Sequence, residues 1–160
     1  MPNPSSLNVI YDLSVKQFDF VDRAYESLTS RAASMIGWTS FITGVAIFLQ
    51  KGLDEFWARL LFGGSVCFLG IMGLVSALLA YRTNEVEPWP HALLVYRGYA
   101  EKPEDETKLQ LMADIEKAIK TNTKFLTAKS EHIDRAIKCL AGLSIALLIS
   151  FFLAIILPKS

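Results

Sequence analysis

Histidine and cysteine are scarce in this chain, two of each, and they are scattered. His91 and His132 stand alone, and neither Cys67 nor Cys139 has a histidine neighbour, so no metal-ligand spacing is present. No Ser-His-Asp grouping, no paired catalytic carboxylates and no glycine-rich phosphate loop occurs. The expectation is a chain that is not an enzyme, with no catalytic residues, no metal and no cofactor. The two thiols read as small packing residues. Charge is missing locally, although overall 16 Lys+Arg cancel 16 Asp+Glu. Residues 32–50, 60–81 and 139–158, runs of 19, 22 and 20, contain no Asp, Glu, Lys or Arg. A helix needs roughly 20 apolar residues to cross a hydrocarbon core of about 30 Å. None of the runs alternates with period two, which excludes a barrel and leaves helices.

The first 31 residues are polar and carry Asp12, Asp19, Asp22 and Glu26, which is not the layout of a cleavable signal. The first span is expected to be both targeting signal and permanent anchor. Thirteen of the sixteen Lys and Arg residues fall in 1–31 and 82–138; the 51–59 loop and the C-terminal tail carry the other three. The positive-inside rule therefore puts the N-terminus and 82–138 in the cytoplasm and the C-terminus outside. The expected fold is an all-α integral membrane protein with three transmembrane helices. A cytoplasmic amphipathic helix occupies 1–31, a transmembrane hairpin 32–81, a cytoplasmic helical region 82–138 and the third span 139–158.

Helical stripes run through both polar regions. Tyr11, Ser14, Phe18, Val21, Tyr25, Leu28 and Ala32 alternate by three and four, a heptad-like face expected to run straight into the first span. The second span holds Gly63, Gly64, Gly70 and Gly73, small residues that let helices approach closely in lipid. Phe56 and Trp57 suit the headgroup level. Pro88 and Pro90 stop a helix, and residues 91–100 are expected to lie on the membrane surface through Leu93, Leu94, Tyr96 and Tyr99. A new helix of about 50 residues is expected from Pro103, with acids in its first turn and no strong breaker before Pro158. Its stripe is Met112, Ile115, Ile119, Asn122, Leu126, Lys129, Ile133, Ala136 and Leu140.

Three constellations point beyond the fold, each with a plainer reading beside it. Gly142, Ala146, Ser150 and Ala154 follow one another by four down the third span. They either line a pore or pack an oligomer, or they form a seam against the chain's own hairpin. Asn122 interrupts an apolar stripe and either sets register and oligomer state or sits on a solvated face. Lys117, Lys120 and Lys124 share one face. They either bind an anionic ligand, a nucleotide or oligonucleotide signal, or supply ordinary positive-inside charge that touches anionic lipid. No span contains a charged residue, which disfavours a transporter or intramembrane enzyme. A channel is not disfavoured, since hydroxyls can line a pore and dewetting can gate it.

The layout resembles the small membrane effectors of bacterial anti-phage systems, the SLATT-like and Pycsar-type families, and is similar in scale to the Hailong-type channel effector. The residues behind the resemblance are Asp22-Arg23-Ala24 ahead of the first span, the break at Pro88–Pro90, and Asn122 to Lys129 leading into the last span. It covers most of the chain and lies in the architecture. It implies a homo-oligomer, taken as a tetramer, in the bacterial inner membrane. It also implies control by a nucleotide-type signal from a nucleotidyltransferase or cyclase encoded alongside, and membrane depolarisation with growth arrest when active. The alternative is a non-conducting adaptor that docks a cytoplasmic partner through its long helix. An accessory subunit of an enzyme or transporter is a third class, with its chemistry supplied in trans.

Overall fold

A computed structural model describes residues 4–50, 56–82 and 102–156, with side chains placed for 7–49, 60–82 and 102–152. Every described element is helical. Helix α1 spans Pro4–Gln50, α2 spans Phe56–Tyr81 and α3 spans Glu104–Ile156. Pro4 sits in the first turn of α1, where its missing N–H costs nothing. Helix α3 starts just after Pro103, with Glu104, Asp105 and Glu106 complementing the dipole of its first turn. The Thr107 N–H donates to the Pro103 carbonyl at 3.0 Å, which closes that turn. At the far end of α2 the Arg82 N–H donates to the Leu78 carbonyl at 2.8 Å. The proline break at 88–90 and the surface turns expected at 91–100 lie outside the described residues.

All three helices are long and apolar enough to cross a membrane. With 47 and 53 residues, α1 and α3 are about 70 and 80 Å long at 1.5 Å per residue. Both exceed a bilayer core of about 30 Å more than twofold, so much of each lies outside it. The uncharged portions are apolar on their outer surface. Phe41, Phe48, Leu61, Phe68, Ile71 and Phe152 are all exposed. In water such a surface is an aggregation liability, and in lipid it is the expected outer face.

Packing divides the chain into two units, Met1–Ser27 with Thr83–Ala128, and Leu28–Arg82 with Lys129–Ser160. In the first unit, Phe18, Ile115 and Ala118 form a buried cluster with Tyr11, Val15 and Ile119 packed against it. Full burial of Phe18 or Ile115 contributes about 1.5–3 kcal/mol each. Toward the start of α3, the Lys108 Nζ donates to Asn8 Oδ1 at 2.6 Å and also to Glu104. Residues advance together along the two helices, so α1 and α3 run parallel here, and the Asn8–Lys108 contact sets an offset of 100 residues. The stripe expected on α3 is turned slightly: Leu111 and Ala118 are buried, while Met112 and Ile119 are half-buried beside them.

The second unit holds α2 antiparallel to the membrane portions of α1 and α3. Ala32, Ala80 and Ile133 form one cluster, and Ala46, Val66 and Leu143 another. Lipid tails are as apolar as leucine, so close contact rather than water exclusion must hold these helices together. Glycine makes that contact possible. A Cβ built on Gly73 would stand 3.1 Å from Cys139 Cβ and 3.2 Å from Thr39 Cγ2, and one on Gly70 would stand 2.7 Å from Thr43 Oγ1. The Thr43 hydroxyl donates to the Thr39 carbonyl at 2.7 Å. Ser34, Ser40, Ser144 and Ser150 likewise donate four residues back, which satisfies each hydroxyl without water.

Candidate functional site

Three residues of the stripe on the third span face the chain's own hairpin in the second unit. A Cβ on Gly142 would stand 3.3 Å from Leu69 Cδ1, and Ala146 packs against the Ala46–Val66–Leu143 cluster. Ser150 is buried and donates to the Ala146 carbonyl at 2.9 Å. The side chain of Ala154 lies outside the described residues. A single chain therefore uses these small residues to close its own three-helix packing.

The small residues left open are elsewhere. Ala33, Gly37, Ser40 and Gly44 form an exposed row on α1, and nothing lies within 4 Å of where a Cβ on Gly37 or Gly44 would stand. Ser40, Thr43 and Gly44 form one wall of a groove of about 450 Å³; Cys67, Gly70 and Ile71 lie on the other. Its only polar atoms on α1 are hydroxyls that already donate to their own helix. They can present an oxygen to a passing partner, but the groove has no charge to hold an ion. No sequence signal separates this row from the stripe on the third span, because both consist of small residues at helical spacing.

Each unit buries a polar residue of α3. Asn122 is 2% exposed and Lys129 5% exposed, on the same row of α3 as Ile115, Ala136 and Leu143. The Lys129 Nζ donates to Thr29 Oγ1 at 2.7 Å, again at an offset of 100 residues. Burying an ammonium is costly unless it is well hydrogen-bonded, so this contact fixes which residues of α1 and α3 meet. His132 lies three residues beyond Lys129, with its Nδ1 buried and without a hydrogen-bond partner among the described residues; Thr39 Oγ1 is in the same position. No group of three His, Cys, Asp or Glu that could hold a metal occurs among the described residues.

Lys117, Lys120 and Lys124 are exposed on the side of α3 away from its buried row. No ion pair within the described residues engages them. Elsewhere on α3, Lys108 pairs with Glu104, Arg135 with Glu131 and Lys138 with Asp134. The hydrogen bond and charge of Lys108 hold the Glu104 carboxyl below the ordinary glutamate range. Compared with protein-family models, with curated proteins and with solved structures, the chain matches none of them.

Proposed function

We propose that the chain is an oligomeric membrane effector that conducts ions, with several copies arranged around a common axis. The observation that carries this reading is the open, hydroxyl-bearing row Ala33, Gly37, Ser40 and Gly44 with its groove against α2. A single chain spends Gly142, Ala146 and Ser150 on internal packing and leaves this row bare. Three packed helices leave no room for an internal channel, so conduction needs more than one copy. Lipid offers no hydrophobic drive to cover small residues, whereas another helix gains close contact there. Ser40 then supplies an uncharged polar surface of the kind that can line a narrow pore.

The remaining parts of the reading follow from the architectural resemblance and the charge bias. The N-terminus and residues 82–138 lie in the cytoplasm of a bacterial cell, and a nucleotide-type signal controls the assembly in anti-phage defence, with depolarisation and growth arrest as its output. The lysine face at 117–124 supplies the cationic surface that such a signal requires. A non-conducting adaptor is the second reading. It is favoured by Val9, Ile10, Leu13 and Phe20, large apolar side chains exposed on α1 outside the uncharged run.

The test is expression in bacteria with a voltage-sensitive dye. The effector reading predicts depolarisation and arrest when the chain is made in excess. It also predicts that Gly44→Phe, whose Cβ has nothing of its own subunit within 4 Å and whose ring fills the open groove, suppresses both while the protein still inserts. An adaptor leaves the potential unchanged in both forms.

A further inference from the structure

We infer that two matched rows of charge form the contact between neighbouring copies: Asp19, Asp22 and Glu26 of one chain meet Lys117, Lys120 and Lys124 of the next. The inference rests on the oligomeric part of the reading above and names the surface that would build the oligomer.

The two rows have the same internal spacing. The carboxylates stand three and four residues apart on α1, and the ammonium groups three and four residues apart on α3. Each triplet therefore forms one row along its helix. All six residues are exposed, and none of them forms an ion pair within the described residues. Lys16 and Arg23 follow Asp12 and Asp19 by four on an adjoining row, and Glu116 precedes Lys120 by four, yet no ion pair closes these gaps.

The rows cannot meet inside one chain. The lysines lie on the side of α3 opposite Ile115, Ala118 and Asn122, the residues it buries. The level of the rows, however, is matched. The Asn8–Lys108 hydrogen bond places residue i of α1 beside residue i+100 of α3, and Phe18 packs with Ile115 and Ala118 at a similar offset. Asp19 to Lys117, Asp22 to Lys120 and Glu26 to Lys124 are each offset by 98. The difference of two residues is about 3 Å along a helix, less than the length of a lysine side chain. Copies related by rotation about an axis parallel to the paired helices keep every residue at its own level. Three carboxylates then face three ammonium groups in step. Such a contact joins two different faces, so it propagates from copy to copy and closes into a ring or extends.

The experiment is a charge swap in the full-length chain, purified in mild detergent, with helical content checked by circular dichroism and mass measured by light scattering. One variant carries Asp19→Lys, Asp22→Lys and Glu26→Lys; the other carries Lys117→Glu, Lys120→Glu and Lys124→Glu. Each alone sets like charge against like and should associate at least about tenfold more weakly than the native chain, the order of loss expected from three exposed pairs per contact. A mixture of the two restores opposite charges at every contact and should recover assembly, as should one chain carrying all six changes. Native assembly should weaken as salt is raised, because these pairs are exposed. If each variant alone assembles like the native chain, or if neither the mixture nor the six-change chain recovers, the rows are not the interface, and the oligomeric reading survives on other contacts. A native chain that is monomeric at every concentration and salt overturns the interface and the oligomeric reading together.

Discussion

Gly70 offers the sharpest test of how the membrane helices are held. A Cβ there would stand 2.7 Å from Thr43 Oγ1 and 2.9 Å from Thr43 Cγ2, inside contact distance for both atoms. Threonine cannot swing away freely. It is β-branched, and its hydroxyl is committed to the Thr39 carbonyl at 2.7 Å. Gly70→Ala must therefore separate α1 from α2 or break that hydrogen bond. Overpacking of this kind costs about 1–3 kcal/mol. Against it stands the higher helix propensity of alanine, worth up to about 1 kcal/mol. Gly44→Ala isolates that second contribution, because nothing lies within 4 Å of its new Cβ. Unfolding in mixed micelles titrated with denaturing detergent, followed by helical circular dichroism, measures both. Gly70→Ala should be less stable than Gly44→Ala by about 1–3 kcal/mol. Adding Thr43→Ala should recover part of the loss, with a coupling of about 1 kcal/mol in the double-mutant cycle. Equal effects at the two glycines, or strict additivity with Thr43→Ala, would refute the packing described for α1 and α2.

Other consequences follow from the polar contacts. Thr29→Val removes the acceptor at 2.7 Å from the buried Lys129 ammonium and should cost about 1–3 kcal/mol, whereas Lys129→Met should cost less or stabilise, both read by the same unfolding assay. Glu104 should titrate below an ordinary glutamate in a carboxyl NMR titration, and Lys108→Ala should return it to the ordinary range. Because the folded value is the lower one, the support this pair gives to the first turn of α3 is complete above the ordinary glutamate pKa. It is lost as pH falls through the depressed value.

The spans were legible because charge is so costly in lipid: runs at 32–50, 60–81 and 139–158 locate helices whose described bounds contain or overlap them. The stripe on α1 was legible for a similar reason, since Phe18, Val21 and Ala32 are buried at the spacing the sequence shows. On α3 the apolar spacing points to Ile119, yet Ala118 takes the tighter position, because alanine carries little hydrophobic signal. Partners were the illegible part. Gly70 and Gly73 announce a close approach but not that Thr39, Thr43 and Cys139 make it. The stripe Gly142–Ala146–Ser150 announces packing but not that Leu69 and Val66 receive it. The offset of 100 residues between α1 and α3 is a property of pairing, and no single segment encodes it.

The most direct test of the account is ion flux through purified full-length protein in liposomes, measured against protein-to-lipid ratio, with and without added nucleotides. Flux should rise more steeply than the amount of protein, because a pore needs several copies, and should change when a nucleotide signal is supplied. Protein that is inserted and oligomeric yet passes no ions at any ratio, with or without nucleotides, would contradict it and leave the adaptor reading standing.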